Sequence, residues 1–123
     1  MKFDFYVTKE TGETLYCYNK LHKDQSETRY LISAMLSALN LYAKEGLGSE
    51  MNSVNLSNLL MTLVSNKELG INYYLITSNK EKKAKTKLEE FKKEFENKYA
   101  KKIPSWNHDL LEFGKFDNFL KDY

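Results

Sequence analysis

The stretch Ile71–Thr77 constrains the fold more than any other, because it is a near-continuous apolar run that directly follows Gly70. Such a run is typical of a central strand that is buried on both faces of a sheet. From Asn79 onward the apolar residues recur at helical spacing, and lysines and glutamates occupy the other face. The sequence therefore predicts a central strand followed by an amphipathic helix, which Pro104 ends.

The start of the chain predicts a β-hairpin. Phe3, Phe5 and Val7 alternate with other residues in the period-two pattern of a strand, here Lys2–Thr8. A turn with Gly12 follows, and Thr14–Tyr18 resumes a β-branched and aromatic run. We expect the hairpin Phe3–Tyr18 to lie within the sheet, with no helix before it.

The next element is predicted to be a helix over Glu27–Lys44, with a capping-box pattern at Asp24 and Glu27 and an end near Glu45. Its apolar residues recur at helical spacing, and such a stripe is expected to cover a sheet. They are Leu31, Met35, Ala38 and Tyr42, with Ile32, Leu36 and Leu39 beside them. Together with Tyr30 and Leu41, these residues occupy more than half of the helix circumference, which is more than one sheet face can cover. Part of this apolar surface is therefore expected to face outward.

The remaining elements follow from shorter patterns. Val54 and Leu56, followed by Leu59–Val64, predict two strands or one long bent strand. Asp109 can cap a last helix, in which Gly114 is a weak point. In the helix after Asn79, one apolar face is expected to pack against the sheet as part of the core; its residues are Leu88, Phe91, Phe95 and Tyr99. Trp106 is expected to be a core residue as well.

Length and charge limit the class of protein. The 123 residues fit one domain, residues 1–123, and the 41% hydrophobic content suffices for a core. Cys17 is the only cysteine, and the start lacks the pattern of a signal peptide, so a cytoplasmic location is expected, with peripheral membrane contact left open. No segment matches a membrane span.

The net charge of +2 is distributed unevenly, because ten lysines and five glutamates lie between Lys80 and Lys102. Lysine is a point charge rather than a bidentate reader of bases, so sequence-specific nucleic-acid binding is disfavoured. Five lysines lie close together at the start of this segment: Lys80, Lys82, Lys83, Lys85 and Lys87. We expect them either to form a solvated helix face or to bind an anionic lipid surface or an acidic partner.

No pattern of catalytic residues is convincing. Cys17 and His22 lie close in sequence, but no third group is implied by their spacing. His108 is the only other histidine, and two histidines with one cysteine at scattered positions do not match the spacing of zinc ligands. The glutamates after Asn79 alternate with lysines at helical intervals, which is typical of solvated ion pairs. We expect no enzyme activity, no cofactor and no metal; the alternative is a small enzyme in which Cys17 and His22 meet in a pocket.

The order of elements resembles that of the longin, or SNARE-like, domain family, through the hairpin Phe3–Tyr18, the helix Glu27–Lys44, and the strand at Ile71–Thr77 that leads into an aromatic helix. The resemblance implies a five-stranded antiparallel sheet with one helix on one face and two C-terminal helices on the other. It also implies a non-enzymatic interaction module in vesicle traffic or small-GTPase regulation, similar to the stand-alone longin proteins of archaea. The roadblock fold is the nearest alternative.

In longin domains the first helix and the neighbouring middle strand line a groove for partner segments. Together with the surplus apolar surface of the helix and a possible free edge at Val54 and Leu56, this groove predicts a partner-binding set made of Leu41, Tyr42, Met51, Val54 and Leu56. Tyr42 is its expected anchor, because tyrosine is enriched at binding hot spots. The expected partner is a small GTPase or a trafficking-complex subunit, and a homodimer is left open. The alternative function is a basic-helix module that binds anionic membrane or nucleic acid.

Overall fold

The computed structural model describes residues 1–22, 29–48 and 52–123, except for the side chains of Arg29 and Tyr30. The helix start predicted at Asp24 and Glu27 lies outside these residues. The elements are β1 (Asp4–Lys9), β2 (Thr14–Asn19), α1 (Arg29–Gly46), β3 (Ser53–Asn55), β4 (Leu59–Asn66), β5 (Ile71–Ser78), α2 (Ala84–Tyr99) and α3 (Asp117–Leu120). The predicted α+β fold with a five-stranded antiparallel sheet is confirmed.

The strand β5 is the centre of the sheet, whose order is β2-β1-β5-β4-β3. All neighbouring strands run antiparallel, and Tyr74 of β5 lies between Tyr6 of β1 and Leu63 of β4. Every residue of β5 except Ser78 is buried. The near-continuous apolar run therefore predicted the central strand correctly, because side chains on both faces of β5 are covered.

The opening hairpin is also present. Gly12 has a φ of 100°, and its amide donates to the Lys9 carbonyl across the turn at 2.9 Å. This backbone conformation favours glycine. The hairpin contains a β-bulge at Leu15. Val7 pairs with Tyr16 and Thr8 pairs with Thr14, so Leu15 has no partner residue on β1. The residues before β1 are not helical.

The face of the sheet under α2 holds the aromatic core. Phe91 and Phe95 of α2 are fully buried, and Phe95 lies between the rings of Tyr16 and Tyr73 at centroid distances of 5.9 and 6.0 Å. Phe116 contacts Phe95 at 5.1 Å, so the C-terminal segment closes the same cluster. The predicted core residues of α2 and Trp106 are all buried, as expected.

The C-terminal helices are shorter than predicted. α2 begins at Ala84 rather than Asn79 and ends at Tyr99, before Pro104. Asp109 does not cap a long last helix: turns precede a 3₁₀ helix at Gly114–Phe116, and α3 begins only at Asp117. Gly114 is a poor helix former, and the carbonyl of Asp109 accepts the Trp106 indole N–H at 2.8 Å, which holds this segment as a loop. None of the helices described here is long and apolar enough to cross a bilayer.

Two tyrosine hydroxyls connect the sheet to the helices. Tyr16 donates to the carboxylate of Asp117, and Tyr73 donates to Glu96 at 2.8 Å. Burial, and then the hydrogen bond to a carboxylate, raise the pKa of both tyrosines above the usual range. Both phenols therefore remain neutral hydrogen-bond donors at any ordinary pH.

A buried carboxylate fixes the chain after β2. Asp4 is 1% exposed, and its Oδ1 accepts the backbone amides of Leu21 and His22 at 3.0 and 3.1 Å. Its Oδ2 contacts His22 Nδ1. The carboxylate thus satisfies the His22 amide and shares the Leu21 amide with the Phe3 carbonyl, which lies 2.9 Å from it, at the point where the chain leaves β2.

We expect Asp4→Ala to lower the free energy of unfolding by about 1–3 kcal/mol, because it leaves the His22 amide without its charged acceptor and the Leu21 amide with the Phe3 carbonyl alone. Urea denaturation measures this change. Asp122→Ala, at an exposed carboxylate, is the matched control and should change stability by less than about 0.5 kcal/mol. Equal effects of the two substitutions would contradict the structural role of Asp4.

Phe95→Ala should lower the free energy of unfolding by about 3–5 kcal/mol, since it removes a buried ring at the centre of the aromatic core. The control is Leu111→Ala, at a side chain that is 83% exposed. A loss below about 1 kcal/mol for Phe95→Ala would show that this ring does not pack against the sheet.

Candidate functional site

The face of α1 that meets the sheet is polar. Ser33, Ser37 and Asn40 are all buried there, and Leu36 is the one fully buried large apolar side chain described on this helix. Thr14 donates to Ser33 with 2.7 Å between the hydroxyl oxygens, and the hydroxyls of Thr8 and Ser37 lie 3.1 Å apart. α1 is therefore held on the sheet by two pairs of hydroxyl groups together with Leu36 and Ile32, which pack in an apolar cluster with side chains of the sheet.

The opposite face of α1 is apolar and exposed. Leu31, Met35, Leu39 and Tyr42 are 71%, 52%, 41% and 65% exposed. Residues at this spacing share one side of a helix, and it is the side turned away from Ser33 and Ser37. We call these four residues the α1 outer face.

The prediction that the stripe through Leu31, Met35 and Tyr42 covers the sheet is therefore wrong. The helical period fixed which side chains share a face but left open which face meets the sheet. Thr8 and Thr14 present hydroxyls under α1, and Ser37 and Ser33 satisfy them, whereas an alkyl side chain such as Leu31 could not. The expectation that part of the apolar surface faces outward is confirmed.

The predicted partner-binding set is divided in the structure. Leu41 and Tyr42 are exposed on α1, and Leu56 is 50% exposed after β3. Val54 is half-buried and packs against the core on the α1 side, while Met51 lies outside the described residues. α1 packs mainly on β1 and β2, whereas β3 is at the opposite edge of the sheet.

The predicted lysine surface is divided as well. Lys80, Lys82 and Lys83 are exposed before α2, whose first turn contains no acidic residue and has no side-chain cap. Lys85 points toward β4, where it lines a groove. Lys87 instead lies 3.3 Å from Glu90 and 5.1 Å from the ring centroid of Tyr123.

The candidate catalytic and metal-binding residues have structural contacts. The His22 ring contacts Asp4, and the His108 ring contacts Glu13. Cys17 is half-buried on β2 and packs at the border of the cluster under α1. Across residues 1–22, 29–48 and 52–123, no group of three or more potential metal ligands is present.

The sequence interpretation did not anticipate the role of Ser33, Ser37 and Asn40. Their spacing of four and three residues inside an otherwise apolar helix is the signal that could have found them. A polar stripe that repeats at the helical period predicts a contact with polar groups, here the threonines of the hairpin.

Neither the models of known protein families nor the curated proteins give a match to this sequence. The geometry of the chain therefore carries the functional argument. Its most unusual feature is the inversion of α1, which buries hydroxyls and exposes large apolar side chains.

The orientation of α1 can be tested at two adjacent residues. Leu36→Ala should lower the free energy of unfolding by about 2–5 kcal/mol, because Leu36 is buried. Met35→Ala should change it by less than about 0.5 kcal/mol, because Met35 is half exposed. Chemical denaturation of the two variants distinguishes the faces, and a larger loss for Met35→Ala would mean that α1 is rotated.

Proposed function

We propose that this protein is a non-enzymatic interaction module that binds a partner protein through the α1 outer face. The observation that carries this proposal is the exposure of Leu31, Met35, Leu39 and Tyr42 on one side of α1. Soluble monomers seldom expose a contiguous apolar patch larger than a few hundred Å², and larger patches usually mark an interface.

The spacing of this surface favours a helix as the bound element. Leu31, Met35, Ala38 and Tyr42 follow one another at intervals of four, three and four residues. This is the interval of a seam that receives a second helix by interlocking side chains. Tyr42 is the expected anchor, because tyrosine combines a large apolar ring with a polar hydroxyl and is enriched at binding hot spots.

The inverted helix supports a binding role on energetic grounds as well. Turning the apolar side of α1 outward leaves large side chains in water, so they contribute no hydrophobic stabilisation to folding of the isolated chain. The hydroxyl pairs at Ser33 and Ser37 retain the helix in this orientation. A partner that covers the α1 outer face would gain this burial on binding.

The resemblance to longin domains extends the proposal to the class of partner. It favours a subunit of a membrane-traffic complex or a small GTPase, with this chain as one member of the assembly. A second copy of the chain is the alternative occupant of the same face.

The proposal predicts that Met35→Glu combined with Tyr42→Glu disrupts assembly while the fold is kept, because both side chains are exposed and the charges would be buried at the interface. The effect should be about thirtyfold or more in affinity, the size expected from loss of a hot spot. Sedimentation of the purified chain detects self-association, and capture from native extract with GTP or GDP analogues detects a partner.

Thr86→Glu combined with Asn118→Glu is the control, since it adds the same charge at exposed positions outside α1. Circular dichroism should show that both double variants remain folded. If the α1 variant assembles and captures protein as the unmodified chain does, the α1 outer face is not the binding surface.

A second candidate function rests on the lysines before α2. Lys80, Lys82 and Lys83 are exposed beside the N-terminus of α2, whose first turn contains no acidic residue; Glu81 is the one carboxylate among them and accepts the Lys83 amide at 3.2 Å. A surplus of positive charge at a helix N-terminus attracts anions. These lysines support contact with an anionic membrane or a nucleic-acid backbone. Such binding falls steeply with rising salt, whereas an apolar contact at α1 does not, so a salt series separates the two functions.

A further inference from the structure

The exposed side of α1 is apolar along about three turns of the helix. Every exposed side chain between Leu31 and Tyr42 is a leucine, alanine, methionine or tyrosine. Besides the larger side chains, this surface contains Ala34 and Ala38, which are both exposed. Residues 30–43 include no charged side chain. An occupant of this surface therefore has to be apolar and uncharged as well, because burying an unpaired charge against it is costly.

The seam of α1 is complementary to itself in one orientation. Its residues follow one another at intervals of four, three and four, in the order Leu31, Met35, Ala38 and Tyr42. When two such helices pack antiparallel, the residues of the two seams face one another in reverse order. Met35 of one copy then lies against Ala38 of the other, and Leu31 lies against Tyr42. A twofold axis repeats each contact, as it does in a symmetric dimer.

The two alanines favour the antiparallel orientation. Ala38 leaves room for the long side chain of Met35, and on the flank of the seam Ala34 leaves room for Leu41, which is 49% exposed. Large and small side chains that face each other allow two helices to approach closely without leaving gaps. A parallel pair would place Ala38 against Ala38 and Tyr42 against Tyr42, which leaves a gap at one level and crowding at another.

The area of this surface is enough for a weak dimer. Five large side chains on it are between 41% and 71% exposed, and these are Leu31, Met35, Leu39, Leu41 and Tyr42. They offer on the order of 500 Å² per copy, so a pair would bury about 1,000 Å² in total, which is near the lower limit for a specific interface. Because no charged residue lies on this surface, pairing two copies brings no like charges together there.

We propose that the α1 outer face binds the same face of a second copy of the chain, in an antiparallel and twofold-symmetric helix pair. The inference rests on the proposed function, because both concern the same surface, and it names the occupant. It selects the second copy over a different subunit, because another protein would need a matching order of large and small side chains, which the second copy supplies by its own sequence. A lipid surface accepts apolar side chains as well, but it gains nothing from the match of Ala34 and Ala38 to larger residues.

Cysteine cross-linking tests the orientation. In a Cys17→Ser background, which removes the only cysteine, Leu31→Cys combined with Tyr42→Cys should give a covalent dimer under mild oxidation. The two positions are about 16 Å apart along one helix, too far for a disulfide within the chain. Leu31→Cys alone should not cross-link, because the antiparallel pair separates residue 31 of the two copies by a similar distance. Thr86→Cys combined with Asn118→Cys, at exposed positions outside α1, is the control for random cross-linking.

Sedimentation velocity tests the close approach of the two helices. The unmodified chain should pass from monomer to dimer between micromolar and millimolar concentration. Ala34→Trp should raise the dissociation constant of the dimer by at least about tenfold, because its ring occupies the space that Leu41 of the second copy fills. Thr86→Trp, at an exposed position outside α1, is the control and should leave the constant within about twofold. Circular dichroism should show that both variants are folded.

Co-sedimentation with vesicles of neutral phosphatidylcholine separates a lipid surface from a second copy. Ala34→Trp adds apolar surface to α1, so it would tighten binding to lipid although it weakens the helix pair. We expect neither the unmodified chain nor this variant to sediment with the vesicles.

Three outcomes would overturn the inference. The first is a chain that stays monomeric up to millimolar concentration. The second is cross-linking of Leu31→Cys alone as readily as the double variant, which indicates a parallel pair or no fixed orientation. The third is vesicle binding that Ala34→Trp strengthens, together with dimerisation that it leaves unchanged.

The proposed function can be separated from this inference by partner capture. If the chain is monomeric but captures a protein that Met35→Glu combined with Tyr42→Glu no longer captures, the second copy is the wrong occupant and the proposed function stands. If self-association and capture both persist in that double variant, both proposals are wrong.

Discussion

The packing of α2 against the sheet is the interaction on which the rest of the structure depends. Phe91 and Phe95 meet the rings of Phe5, Tyr16 and Tyr73, and the C-terminal segment adds Phe116 to the same cluster. Burial of large aromatic side chains is the main source of stability in a domain of this size. With one face of the sheet stabilised in this way, the other face can tolerate a weaker contact with α1.

The two faces of the sheet therefore serve different purposes. Under α1 the contact relies on hydroxyl pairs and on Leu36, and the outward side of the helix remains apolar. Hydrogen bonds between neutral groups contribute little net stability but fix geometry, because unpaired buried hydroxyls are costly. The consequence is a helix that is held in one orientation and presents Met35 and Tyr42 to a partner.

The fold was predictable where one residue pattern had one stable solution. The run Ile71–Thr77 identified the central strand, and the aromatic spacing of α2 identified its buried face, since only one side of that helix is apolar. The last helix was predicted too long, because Phe113 and Phe116 recur at a helical interval although Gly114 and the Trp106 contact keep the segment in turns. Strand lengths in the middle of the chain were open, because polar residues such as Ser53 and Asn55 carry no burial signal.

The sequence by itself determined the element order, the central strand and the sides of each helix, because hydrophobic periodicity is a property of the chain alone. Only the tertiary structure decided which side of α1 meets the sheet. That choice depends on the hydroxyls of Thr8 and Thr14, which lie far from α1 along the hairpin and come beneath Ser37 and Ser33 only after the strands pair.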